Sequence, residues 1–193
     1  MMRRGLWIAM GVIVVIVLVA LFVFGSYVSS KNQMVALQEN VQENWAQVNV
    51  VIERRADLIP NLVATVKGYA QHEEKIFDDV ANARAALLNA HSPAGTIAAN
   101  QQMDGALGRL LAISENYPDL KANQNFLALQ DQLEGTENRI AVERRRYNMA
   151  VQTYNTYVRQ FPNSIWAGIA GFQVDKDYFA ASAAAQQVPT VKF

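Results

Sequence analysis

An all-α protein, with an N-terminal single transmembrane helix followed by an antiparallel four-helix bundle of long helices, is the fold this sequence predicts. Three observations predict it. No charged side chain occurs from Gly5 to Ser30. Beyond that run, apolar residues return at steps of three and four, the spacing that places them on one face of a helix. The stretch from Leu120 to Phe161 contains no glycine except Gly135 and no proline.

The N-terminal element comes first. Leu6–Phe24 reads LWIAMGVIVVIVLVALFVF, and at about 1.5 Å per residue such a helix is roughly 28 Å long, close to the thickness of bilayer hydrocarbon. Trp7 and Tyr27 flank it and suit the interfacial aromatic belts. A cleaved signal peptide shares the basic start and apolar core, but the run is too long and Gly25–Ser30 offers no A-x-A site, so an anchor is expected. Arg3 and Arg4 before the span outweigh Lys31 after it, which predicts a cytoplasmic N-terminus and a bundle on the outer, periplasmic side of a bacterial inner membrane.

A first soluble helix is predicted from about Asn32 to Arg55, where Met34, Leu37, Val41, Trp45, Val48 and Ile52 share a face. Asp57 and Pro60 then suit a turn and restart, with a kinked continuation as the alternative. The second helix carries Leu62, Val66, Tyr69, Glu73, Ile76, Val80, Ala83, Leu87 and Ala90 in one unbroken register, and His91–Gly95 forms a loop by composition. The third and shortest aligns Met103, Ala106, Leu110, Ile113 and Tyr117 and ends near Asn116. Pro118 opens the fourth, the longest, with its stripe at Ala122, Phe126, Leu129, Leu133, Thr136, Ile140, Tyr147, Val151, Tyr154, Val158 and Phe161. Three segments result: an anchor at 1–30, a bundle at 31–161, and at 162–193 an apolar stretch, an alanine-rich stretch and a tail. No internal repeat is read in the chain. Short up-and-down connections would return Trp166 to the bilayer.

Composition narrows function. Of 193 residues, 17 are acidic and 17 are Lys or Arg, so no net field draws in nucleic acid, and none is expected as a partner. Cysteine is absent, which removes disulfides, thiolate nucleophiles and cysteine metal sites. His72 and His91 fit no Glu-x-x-His di-iron pattern, and neither a nucleophile elbow nor a phosphate loop is present. No catalytic residue, metal or cofactor is therefore expected.

Longer motifs add to this. Trp45-Ala46-Gln47-Val48, Arg54-Arg55-Ala56-Asp57-Leu58-Ile59-Pro60-Asn61-Leu62-Val63, Val66-Lys67-Gly68-Tyr69-Ala70, Tyr117-Pro118-Asp119-Leu120-Lys121-Ala122-Asn123, Leu133-Glu134-Gly135-Thr136-Glu137-Asn138-Arg139-Ile140 and Arg144-Arg145-Arg146-Tyr147-Asn148 resemble the LemA proteins. Lys31 and Asn44 depart from the family pattern, in which tyrosine and alanine are usual. The resemblance implies a bacterial membrane protein with one N-terminal span and a four-helix bundle, and supplies no catalytic residues.

Two constellations remain as candidates. Arg54, Arg55, Glu73, Glu143 and Arg144 lie on or beside the packing seams, where buried charges must pair, and a register-fixing set of ion pairs is the expectation. Trp7, Tyr27, Ile165, Trp166, Ile169 and Phe172 are candidates for contact with the membrane interface. The function expected is a non-enzymatic scaffold or adaptor on the lipid bilayer, serving other membrane proteins or a homo-oligomer. A lipid-interacting or membrane-remodelling protein and a membrane-bound enzyme are the alternatives.

Overall fold

A computed structural model describes residues 2–90 and 92–179; the His91 loop position and the alanine-rich stretch and tail from residue 180 lie outside the described residues. Among the described residues six α-helices follow in order: α1 Met2–Lys67, α2 Glu74–Leu88, α3 Pro93–Ile113, α4 Pro118–Lys121, α5 Gln124–Arg159 and α6 Asn163–Ala170, with a 3-10 turn at Ser114–Asn116. Among the described residues there is no strand. The fold is all-α, with a long apolar N-terminal helix and a helical bundle. The chain divides into two compact units: one is Met1–Val41 with Ala150–Asp175, the other Gln42–Met149 with the chain that starts at Lys176.

In the second unit the predicted stripes form the core. Val48, Ile52, Ala56, Ile59, Leu62 and Val66 of α1 are buried, as are Phe77, Val80, Ala83 and Leu87 of α2. Met103, Ala106, Leu107 and Leu110 of α3 join Phe126, Leu133, Ile140 and Tyr147 of α5. Trp45 meets Tyr147, Arg55 meets Glu137 and Tyr69 meets Asn123. As the first number rises the second falls equally, so α1 and α5 run antiparallel here. Ser92 caps α3 by accepting the Gly95 N–H at 3.1 Å, and Pro93 occupies the first turn, where its missing N–H removes nothing.

Three boundaries and two lengths correct the reading of the sequence. α1 does not stop before Pro60 but carries it inside a continuous helix, the kinked-continuation alternative. The reversal falls instead at Gly68–Glu73, closed by the Tyr69 and Ala70 N–H groups on the Val66 carbonyl. The second register was continuous only because apolar spacing on the two sides of that turn happens to match; Tyr69 is exposed and Glu73 lies just before α2. α2, at 15 residues, is shorter than the 21-residue α3. The predicted fourth helix is split at Ala122–Asn123, and α1, at 66 residues, is longer than the 36-residue α5.

In the first unit α1 supplies buried Met34 and Val41, and α5 supplies Ala150, Val151, Tyr154 and Val158. Phe161, expected at the end of the buried stripe, is 82% exposed because α5 has ended at Arg159. α6 ends at Gly171, whose φ of +79° suits a residue without Cβ; the Phe172 N–H then reaches back to the Ala167 carbonyl at 3.0 Å.

Candidate functional site

One helix among the described residues is long and apolar enough to cross a membrane; its most apolar stretch lies near the N-terminus and none of that stretch is buried. Trp7 precedes it on α1 and is exposed. Where that stretch gives way to polar sequence, α6 is fastened to α1. The Trp166 ring meets Tyr27 edge-on at 5.7 Å between centroids, and the Ser30 hydroxyl donates to Asn163 Oδ1 at 3.0 Å. With Trp166 half-buried and Ala167 buried, Ile165 and Ile169 point outward, 50% and 66% exposed, beside exposed Phe161. Phe172 is half-buried and follows the αL turn. This places Tyr27, Ile165, Trp166 and Ile169 together at the end of the apolar run.

Past Gly171 the described chain has no regular secondary structure, with a tight turn where the Tyr178 N–H meets the Lys176 carbonyl at 3.1 Å, and it is held by side chains of α5. In the first unit, Asn155 Nδ2 donates to the Asp175 carbonyl at 2.7 Å while its Oδ1 accepts the Asp175 N–H at 2.8 Å. The Tyr154 hydroxyl donates to the Gln173 carbonyl at 2.7 Å. Burial, and secondarily the Asp175 carboxylate, raise the Tyr154 phenol above its ordinary value of 10.0, so it stays a protonated donor.

The same two-bond exchange occurs in the second unit. Asn148 Nδ2 donates to the Phe179 carbonyl at 2.8 Å and Oδ1 accepts the Phe179 N–H at 3.0 Å. The Phe179 ring stacks on Trp45 at 6.0 Å, meets Tyr147 edge-on at 5.8 Å and lies 5.2 Å from the Arg144 guanidinium carbon. Asn148 and Asn155 were not singled out in the sequence. A signal was present: Tyr147-Asn148 and Tyr154-Asn155 repeat seven residues apart, about two helical turns, which keeps both pairs on one face of α5.

The seam charges are arranged as follows. Arg55, its side chain 8% exposed, pairs with Asp104 of α3 and lies 2.9 Å from Glu137 of α5, off the line of the N–H. Asn100, fully buried, donates to Asp104 Oδ2 at 3.2 Å. Arg144 lies 3.9 Å from Glu137, and Glu143 pairs with Arg146 one turn along its own helix. Arg54 is exposed beside Gln132 and Arg139, and Glu73 is half-buried in the turn before α2. Arg55 and Arg144 are thus brought together through Glu137, whereas Glu73, Glu143 and Arg54 stand apart from them. The pairs join α1, α3 and α5, with the charge of Arg55 buried and those of Asp104 and Glu137 still partly open to water.

A recess of about 400 Å³ opens among Trp45, Asn49, Ile52, Glu53, Leu87 and Thr96; among the described residues lining it, Glu53 is the one titratable side chain. Among the described residues no three His, Asp or Glu side chains group to hold a metal ion.

The LemA family pattern matches residues 44–193, more than half of the chain. The chain belongs to the LemA family. It is 28% identical over 168 residues to magnetosome protein MamQ 2 of Paramagnetospirillum magneticum, covering 74% of this chain and 62% of the relative. MamQ of Magnetospirillum gryphiswaldense matches at the same identity and coverage. Protein LemA of Metamycoplasma hominis is 25% identical over 136 residues, 70% of this chain and 62% of that protein. The chain therefore spans a little over three-fifths of the length of these relatives. The LemA match takes in Asn148, Asn155, Trp166 and the Arg55 cluster, while Tyr27 and Ser30 lie before it. Family and fold together make this a membrane-associated helical protein.

Proposed function

We propose that this LemA-family chain is a non-enzymatic scaffold that is anchored in a bacterial inner membrane and assembles with copies of itself and with other membrane proteins. Residues 1–30 are the anchor, 31–161 the bundle and 162–193 the segment that begins with α6. The observation that carries the reading is the fastening of Trp166 to Tyr27, with Ile165, Ile169 and Phe161 left bare at the end of the span. Bare aliphatic side chains at that level suit the headgroup boundary, where an amphipathic helix lies in the interfacial plane. A span with a second interfacial attachment fixes how the chain is presented as well as where. Confinement to the bilayer plane raises its effective concentration for partners there. The basic start, Arg3 and Arg4, favours a cytoplasmic N-terminus and a periplasmic bundle.

Crosslinking in intact membranes, followed by identification of the joined proteins, tests the scaffold. Homo-oligomers or defined neighbours are expected; a chain that stays monomeric and without neighbours overturns it. The interfacial attachment has its own test, made clean by the absence of cysteine. A spin label on Ile169→Cys should be relaxed more by oxygen than by a water-soluble nickel chelate in vesicles, and the reverse order would refute lipid contact. The same bare face favours a second reading, a protein that acts on lipid; vesicle deformation by the reconstituted chain, lost in Ile165→Ser with Ile169→Ser, is its signature.

A further inference from the structure

We infer that Arg54 of α1 and Arg139 of α5 form a binding site for a phosphate group, held by their two guanidinium groups in a recess that Gly135 keeps open. Both arginines are exposed, and with Gln132, Gly135 and Thr136 they line a recess of about 150 Å³ within the second unit. Among the described residues lining it there is no carboxylate. Five arginines elsewhere in that unit have acceptors. Arg55 pairs with Asp104, Arg109 with Asp79 and Arg146 with Glu143, while Arg144 lies 3.9 Å from Glu137 and Arg84 donates to the Ala56 carbonyl. Arg54 and Arg139 pair with no carboxylate among the described residues, yet the packing of α1 on α5 brings them to one recess. Two like charges placed together repel, and an anion between them turns that repulsion into attraction.

Gly135 is a second, independent observation. It stands in the interior of the 36-residue α5, where a residue without Cβ weakens the helix. No close approach requires it: a Cβ at this position would have open space around it, with nothing within 4 Å. What the glycine preserves is the recess, since a larger side chain would stand in it. The lining then selects the ligand. A guanidinium fork matches an edge of a phosphate with two hydrogen bonds, and two such groups balance a dianion, whereas a carboxylate carries a single charge. Gln132 brings an amide with two further N–H donors. Thr136 gives its hydroxyl proton to the Leu133 carbonyl at 2.8 Å and has none for an anion. The recess is smaller than the roughly 300–1,000 Å³ of sites for drug-sized ligands, so it takes one phosphate group, free or at the end of a larger molecule.

The experiment uses the full chain in uncharged detergent micelles, with inorganic phosphate above its second ionisation as the probe and equilibrium dialysis as the readout. Saturable binding is expected. Arg54→Gln and Arg139→Gln should each weaken it about tenfold or more, because each removes charge-assisted hydrogen bonds. Arg145→Gln removes an exposed charge from outside the recess and should leave binding within about twofold, as screening by salt dictates. Gly135→Leu should abolish binding without lowering the thermal midpoint, because leucine is the better helix former. Helical circular dichroism of each variant confirms that it folds. Equal weakening by Arg145→Gln, or unaltered binding in Gly135→Leu, overturns the site. Acetate that binds as tightly as phosphate overturns the choice of ligand. A second arm offers dioctanoylphosphatidic acid and counts bound lipid by native mass spectrometry. Arginine-dependent binding there but not of free phosphate assigns the group to a lipid, and the opposite result assigns it to a soluble molecule. Absence of arginine-dependent binding in both arms overturns the inference.

Discussion

Two places in the second unit handle a disturbed helix in opposite ways. At Ala56–Pro60, α1 runs on through a proline; at Lys121–Gln124, where there is no proline, the helix stops and α5 starts afresh. Pro60 has no N–H to offer the carbonyl four residues back, and Ala56 is fully buried, away from water. Arg84 of α2 supplies the missing donor, its Nε lying 3.0 Å from the Ala56 oxygen. At the other place Asn123 offers the backbone something better than helix. Its Oδ1 accepts the Phe126 N–H at 3.0 Å, its carbonyl accepts the Leu127 N–H at 3.0 Å, and its Nδ2 donates to the Tyr69 hydroxyl at 2.9 Å. The difference teaches that a helix continues or ends according to where its freed backbone groups find partners. A neighbouring helix can reverse what the local residues favour.

The comparison is broken most severely at Arg84. Arg84→Met keeps the aliphatic stem and leaves a buried carbonyl without a donor, an expected loss of about 1–3 kcal/mol in denaturant unfolding of the detergent-solubilised chain. In a Pro60→Ala background the residue at 60 regains an N–H for Ala56, and the same Arg84→Met change should then cost less than about 0.5 kcal/mol. Equal losses in the two backgrounds would mean that Arg84 stabilises through packing alone.

This pair of sites also explains what could be read from the sequence. The apolar stripes of α1, α3 and α5 were legible because burial imposes a period, and Met34, Val48, Met103, Phe126 and Tyr147 are buried where that period puts them. The breaks were not legible. Continuation through Pro60 depends on Arg84, 24 residues away in sequence, and the reversal at Gly68–Glu73 preserves the apolar spacing across it. Tyr27 and Trp166 stood out in composition as aromatics beside apolar runs, and their rings meet at 5.7 Å, but their pairing across more than a hundred residues is set by packing. Asn148, Asn155 and Phe179 were not legible, because an asparagine on a helix looks like a solvated position until the chain's later segment lies against it. The partners of Arg55 escaped for a similar reason: Asp104 sits off the apolar stripe of α3, and only packing brings it to α1.

A smaller effect sharpens the other half of the comparison. Asn123→Ala removes the cap and should cost about 1 kcal/mol, with faster hydrogen exchange at the Phe126 amide, while Asn123→Asp retains an acceptor and should stay within about 0.5 kcal/mol of the parent. If the alanine variant exchanges no faster at Phe126, the cap is not what starts α5 there.

The smallest effect separates capping from the tie between helices. Tyr69→Phe removes only the hydroxyl that accepts from Asn123, and Tyr69 is exposed, so water can take over the amide proton. Its expected cost is below about 0.5 kcal/mol, since an exposed bond exchanges one good partner for another. The Phe126 amide should exchange at the parental rate, because the Asn123 oxygen that caps it is the other end of the same amide group and is not touched. A loss as large as that of Asn123→Ala would show that the link from Tyr69 holds Asn123 in place. The start of α5 would then be set by a neighbouring helix, as the continuity of α1 is, and the two places would be alike after all.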